Sequence, residues 1–209
     1  MLALHEKSIY GFLSNSSKFY FMEKIQKLSR TLKTTFCFLS FGVPIFICLQ
    51  WLLIDWQPVK TLVQSGMILK PITTPDGLVN LGNIELSLTT KILALLGNLV
   101  TAFPYIFGYI LLHKLFSNYQ KGKIFISDNI NIYKKLGKLS FIYGIFCIPL
   151  TETIMVLVAT SMNLPGHRCL QIGFGTPSLE AILCGLLVIV ISWVMQQGQA
   201  LQEENQLTV

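Results

Sequence analysis

Four long stretches without charge, spread along a chain of 209 residues, decide what this sequence can become. A helix rises ~1.5 Å per residue and the hydrocarbon core of a bilayer is ~30 Å thick. A spanning helix therefore needs about 20 mostly apolar residues. The first stretch, Thr34 to Ile54, and the second, Ile92 to Leu112, hold no charged side chain. The third, about Leu139 to Met162, holds one acid, Glu152. The fourth runs from Ala181 to about Met195 and stays uncharged as far as Gln202. A buried helix of a soluble core is the rival reading for any one stretch. With only 12% charged residues, against roughly 25% in soluble domains, there is too little polar sequence to wrap four of them. The same deficit excludes a disordered tail, a coiled coil and a basic nucleic-acid module. The expected fold is all-α and integral to a membrane, with four transmembrane helices. The first stretch is not a cleavable signal: it is long, lies far from Met1, and has Leu49, Gln50, Trp51 and Leu52 where small residues would sit. Trp51 and Trp56 fit an interfacial anchor at its far end.

Charge between the stretches sets the expected orientation. Lys7, Lys18, Lys24, Lys27, Arg30 and Lys33 precede the first, and Lys114, Lys121, Lys123, Lys134, Lys135 and Lys138 separate the second from the third. The first-to-second connection has only Lys60, Lys70 and Lys91, the third-to-fourth only Arg168, and the tail none. Basic residues near span ends stay cytoplasmic. Both termini and the central loop are thus expected inside, and the other two loops outside. The net charge of +6 is then a topology signal joined to attraction for anionic headgroups. Direct nucleic-acid binding is not expected, because these residues hug membrane boundaries instead of forming a groove.

The polar segments carry their own patterns. Phe21, Ile25, Leu28 and Leu32, interleaved with Lys24, Lys27, Arg30 and Lys33, predict a basic amphipathic helix in the inner headgroup layer across Ser17 to Lys33. Met22 opens this pattern, and residues 1–21 lie upstream of it. In the first outward loop, Thr73-Thr74-Pro75-Asp76-Gly77 is a turn signal. Met67-Ile68-Leu69 and Ile84 to Leu88 are the expected strands of a small hairpin. In the central loop Ser127 is expected to cap a helix, with Asp128 in its first turn. Ile130, Tyr133 and Leu136, among Lys134, Lys135 and Lys138, make a second amphipathic stretch. Pro177 suits the first turn of the fourth helix, with Thr176 as cap. The expected division is a cytoplasmic segment over 1–33, a four-helix domain over 34–198 and a cytoplasmic tail over 199–209.

Two tracts together carry a resemblance: Gly122-Lys123-Ile124-Phe125-Ile126-Ser127-Asp128-Asn129 before the third stretch, and the tail from Gly198 to Glu203-Glu204-Asn205-Gln206-Leu207-Thr208-Val209. Over roughly residues 22–209 the chain resembles the bacterial membrane-protein family catalogued as domain of unknown function 2975. Ile126 separates Phe125 from Ser127, which the family pattern places side by side. The resemblance implies four spans in a bacterial inner membrane and a small helix-turn-helix regulator encoded nearby. It implies no catalytic or binding residue.

Glu152 is the sharpest single candidate. A carboxyl group within the membrane costs ~3 kcal/mol on insertion scales and often marks an ion or proton path. Pro149, three residues earlier, removes a backbone donor and is able to kink the helix. The plainer reading is a protonated or hydroxyl-paired Glu152 acting as packing glue, with Asn98 and Gln196 as candidate partners. Small residues form stripes at Gly97, Thr101, Pro104 and Gly108; at Gly137, Ser140, Gly144 and Thr151; and at Ala181, Gly185 and Ser192. Such stripes let membrane helices approach closely, within one chain or in a homo-oligomer. Of the cysteines, Cys37, Cys48, Cys147 and Cys184 lie in the stretches and only Cys169 in an outward loop, so no disulfide framework is expected. His167 and Cys169 alone make no metal site. His113 and His5 read as bystanders, and Glu180 as a complement to a helix N-terminus. No phosphate loop, zinc pattern or nucleophile elbow is present, and neither an enzyme nor a cofactor is expected.

The reading that results is a multi-pass inner-membrane scaffold or sensor whose cytoplasmic face binds a partner protein. Its expected contact residues are Lys121, Lys123, Phe125, Ser127 and Asp128 in the loop and Glu203, Glu204, Leu207 and Val209 in the tail, one set largely basic and the other acidic. The alternative is a small oligomeric transporter or channel coupled to protons or cations through Glu152.

Overall fold

The computed structural model describes the backbone of residues 2–161 and 168–207, and the side chains of residues 22–161, 168–205 and 207. His5, His167, Val209 and the expected end of the third stretch at Met162 lie outside the described side chains. Each uncharged stretch is the middle of a longer helix. The first lies in α1 (Leu2–Leu52), the second in α3 (Leu88–Gln120) and the fourth in α6 (Thr176–Leu207). The third is built from α4 (Ser127–Ile142), a π-helical turn (Tyr143–Cys147) and α5 (Ile148–Ala159), which run on without a break. All four are long and apolar enough to cross a membrane.

The basic stretch before Thr34 is not a separate helix. It runs into the span as part of α1, with no break at Lys33. Residues such as Glu23, Lys24, Lys27 and Leu28 are good helix formers, and nothing at the junction stops propagation. Glu23 and Lys27 add an i,i+4 ion pair at 2.7 Å. The tail likewise extends α6 to Leu207.

The helices pack in chain order. α1 lies along α3, α3 against α4 and α5, and α4 with the π turn against α6. Among the described residues α1 and α6 do not pack along one another. The arrangement is an open row, not a closed ring.

The expected stripes form its seams. A Cβ on Gly137 would come 3.0 Å from the Gly185 oxygen, and one on Gly185 would come 2.9 Å from the Gly137 oxygen. A Cβ on Gly144 would meet the Ser178 oxygen at 2.7 Å. Ser140 Oγ donates to Ala181 O at 2.6 Å across the same seam. Between α3 and α5, Ile154 occupies the space over Gly97, and Thr151 Oγ1 donates to Gly97 O at 2.8 Å. The α1–α3 seam is aromatic: Phe36 stacks on Tyr109 and Phe116 at 5.9 and 5.6 Å. His113, expected as a bystander, joins this seam with Nδ1 3.1 Å from Lys33 O.

The end of the row that carries the α1–α3 and α5–α6 connections bears a cap. Here α2 (Gln57–Gln64) starts with Pro58 in its first turn. It closes in a Schellman turn: Gly66 takes φ +74°, its N–H donates to Val63 O at 3.0 Å, and Met67 N–H donates to Leu62 O at 3.1 Å. The hairpin is β1 (Ile72–Thr74) paired with β2 (Gly77–Val79), in the register Ile72 to Val79 and Thr74 to Gly77. It turns at Pro75-Asp76, as the turn signal implied. Its strands are not Met67–Leu69 and Ile84–Leu88, because the tight turn pairs only its immediate flanks. Ile68, Leu69 and Ile84 pack instead on the apolar core of Trp51, Val63, Leu81, Ala94 and Val158.

Three local expectations need correction. Trp51 is 2% exposed inside this core and is not an interfacial anchor, whereas Trp56 is 60% exposed. Ser127 is the first residue of α4 and not its cap; extended Ile126 holds that place without a side-chain bond. Gly175 O accepts the first amide bonds of α6, from Ser178 and Leu179, so Thr176 begins the helix one residue inside the cap.

Candidate functional site

The opposite end of the row, which carries the α3–α4 connection, Met22 of α1 and the last turns of α6, brings the two expected contact tracts together. The connection starts from a second Schellman turn. Gly122 takes φ +72°, its N–H donates to Tyr119 O, and Lys123 N–H donates to Asn118 O, both at 3.0 Å. Asn129 then fixes the loop from below. It is fully buried. Its Nδ2 donates to Lys123 O at 2.8 Å and Ile124 O at 2.7 Å, and its Oδ1 accepts from Asn118 Nδ2 at 2.7 Å. Asp128, in the first turn of α4, accepts from Lys114 Nζ at 2.9 Å and Asn118 Nδ2 at 3.1 Å. Tyr119 and Tyr133 share a hydroxyl hydrogen bond of 2.8 Å. Together these bonds tie the loop to α3 and α4 and the two helices to one another.

Held this way, Phe125 reaches across to α6. A Cβ on Gly198 would come 2.7 Å from Phe125 Cε1, so the bare backbone there makes room for the ring from the loop. Around this contact Met22 of α1, Gly122, Ile124, Phe125, Leu201 and Asn205 border a groove of about 670 Å³. A smaller hollow of about 240 Å³ beside it brings Ser127 to Glu203, whose carboxylate accepts from Gln199 Nε2 at 2.8 Å.

The candidates thus divide. Phe125, Ser127 and Glu203 border these hollows. Lys121 and Lys123 are exposed beside them. Asp128 is spent on the internal clamp with Lys114. Glu204 is exposed, and Leu207, at 87% exposure, stands out from the end of α6. Sequence reasoning missed Asn118, Asn129, Gly198 and Met22. Gly198 lay inside the recognised tail tract, and its lack of a side chain was the available signal.

Glu152 and Pro149 lie toward the cap end. Pro149 has no N–H for the Ile145 carbonyl, and the chain absorbs this in the π turn, where Ile148 N–H donates to Tyr143 O. Glu152 is seven residues before the end of α5, roughly 10 Å along the axis. Neither Asn98 nor Gln196 lines the cavity it borders. It borders a cavity of about 350 Å³ closed by Lys70 to Thr73 from one connection and Gln171 and Gly173 from the other.

Residues 34–209 match the model of a family described as a protein of unknown function, DUF2975. The chain belongs to the DUF2975 family. As a DUF2975 protein with four spanning helices it is a multi-pass membrane protein in contact with the lipid bilayer. The DUF2975 match takes in all four apolar stretches, the loop tract and the tail tract, and begins after the basic part of α1. Neither the curated proteins nor the solved structures show a match to this chain.

Proposed function

We propose that this DUF2975 protein is a non-catalytic scaffold or sensor of the bacterial inner membrane that docks a cytoplasmic protein, a small helix-turn-helix regulator, at the groove between the α3–α4 loop and α6. The meeting of Phe125 with Gly198 carries the reading. It joins two tracts more than 70 residues apart in sequence around one groove with an apolar floor and charged flanks. Lys121 and Lys123 on one side and Glu203 and Glu204 on the other offer contacts of both signs, which select a partner more than they tighten it. The Lys and Arg distribution supports both termini inside, which puts the groove in the cytoplasm and the cap outside. Residues 1–33 and 199–209 are then the cytoplasmic flanks of the domain formed by 34–198.

The test is a crosslinking pull-down from native membranes of cells that carry the regulator encoded nearby. Removal of residues 199–209 is expected to abolish recovery of the regulator while the membrane level stays unchanged. Undiminished recovery counts against this reading.

One observation favours a second reading, a small oligomeric transporter or channel: Glu152 borders a cavity between connections. The open row encloses no path by itself, so this reading requires several copies. Flux through reconstituted protein that Glu152→Gln removes supports it, and absence of flux in both forms rejects it.

A further inference from the structure

The cap-end cavity has the composition of a binding site. Glu152 is its acid, and among the described residues this carboxylate has no hydrogen bond or ion pair. The neighbouring hydroxyls do not serve it. Thr151 Oγ1 is committed to Gly97 O, and Thr153 Oγ1 to Pro149 O at 2.8 Å and Gln171 O at 3.2 Å. Lys70 lines the same cavity and pairs with no acid among the described residues. Met155 and Val156 supply an apolar surface between the polar groups.

Both walls are anchored. β1 packs against α5, and Thr160, the cap residue just after α5, accepts the Cys169 N–H on its Oγ1 at 3.3 Å. The Thr153 bond to Gln171 O holds the second wall over the acid. Gly173 permits this approach, since a Cβ there would stand 3.0 Å from Glu152 Oε2. A cavity of about 350 Å³ lies at the lower end of the ~300–1,000 Å³ range of small-molecule sites.

We propose that this cavity binds a small zwitterion of amino-acid size, its ammonium group on Glu152 and its acid group on Lys70. A simple cation would satisfy Glu152 and be opposed by Lys70; a simple anion would meet the reverse. A molecule carrying both charges satisfies both, and its short chain covers Met155 and Val156. Charge-assisted hydrogen bonds at both ends supply the affinity. The inference does not depend on the cytoplasmic partner, and binding without transport satisfies it.

The experiment uses the full chain in lipid nanodiscs. Titration calorimetry and thermal unfolding are run with α-amino acids and with ω-amino acids from glycine to 5-aminopentanoate, beside the matched alkylamines and alkanoates. At least one zwitterion is expected to bind about tenfold more tightly than its matched amine or acid. Glu152→Gln is expected to weaken that zwitterion about tenfold or more. Lys70→Ala, at an exposed position that does not threaten folding, is expected to bring the zwitterion down to the level of the amine. Gly173→Ala, which sets a methyl group against the carboxylate, is expected to weaken both. No binding across the series overturns the proposal. So does a zwitterion no tighter than its amine, or full affinity in a folded Lys70→Ala protein.

Discussion

The ring of Phe125 rests on the bare backbone of Gly198, with no room for even a methyl group between them. Packing a larger side chain there must lift the α3–α4 loop off α6. Gly198→Leu is expected to speed tryptic cleavage after Lys121 and Lys123 several-fold in inverted vesicles, about the factor given by ~1 kcal/mol of lost docking. A cleavage rate equal to wild type would show that the loop does not lean on α6.

Asn129 is the clamp beneath the same loop. Replacement by Asp keeps the shape but removes both N–H donors, facing an anion with the carbonyls of Lys123 and Ile124. The expected cost is about 1–3 kcal/mol for each stranded group, read as a lower unfolding temperature. Asn129→Ala is expected to be similarly harmful, because Asn118 also loses the nearer of its two acceptors and keeps only Asp128.

The α4–α6 seam separates glycines that are spacers from those that are not. Gly185→Ala drives a methyl group toward the Gly137 carbonyl and the Ser140 side chain, and is expected to cost about 1–3 kcal/mol. Gly42, in α1, has nothing within 4 Å of the Cβ position. Gly42→Ala should be neutral or stabilising by about 0.5–1 kcal/mol through helix propensity. Thermal stability by fluorescence-detected size exclusion compares the two directly.

The tryptophans offer a contrast within five residues. Trp51→Ala opens a void in the cap core and is expected to cost about 3–5 kcal/mol. Trp56→Ala, at a 60% exposed side chain, should stay within about 0.5 kcal/mol. Equal effects would contradict the burial of Trp51.

Topology is tested with reporters. A reporter active only in the cytoplasm is expected to work when joined at Val209. One active only outside is expected to work when inserted at Arg168. Either staying silent in well-expressed protein would reverse the proposed orientation.

Hydropathy made the four spans legible because a bilayer demands length and apolarity locally, residue by residue. The seams were legible for a related reason: Gly137, Ser140 and Gly144 in one stretch, and Ala181, Gly185 and Ser192 in another, fall at helical spacing, and closeness needs small side chains wherever the partner lies. The turn at Pro75-Asp76 was local too. Signals for α2 stood in the sequence as Pro58 near its start and Gly66 past its end, the asymmetry that brackets a helix. They were passed over because the segment between is short. Trp51 was misplaced because burial depends on α2 and the loop around Leu81, which no local pattern positions over it. Ser127 lost the cap to Ile126 because the loop path, set by Asn129, fixes where helical dihedrals begin. The groove itself needed tertiary structure: nothing in either tract says that Phe125 and Gly198 touch.

The open row has a bearing on how the protein is made. Each membrane helix rests on its predecessor, so every partner a new helix needs has already left the ribosome when that helix emerges. No early segment must wait for a late one to close a ring, because each seam joins a membrane helix to the one made before it. Biogenesis can therefore proceed like a wall laid course by course, with α6 as the final course and a chain halted at Ala159 already holding the three before it.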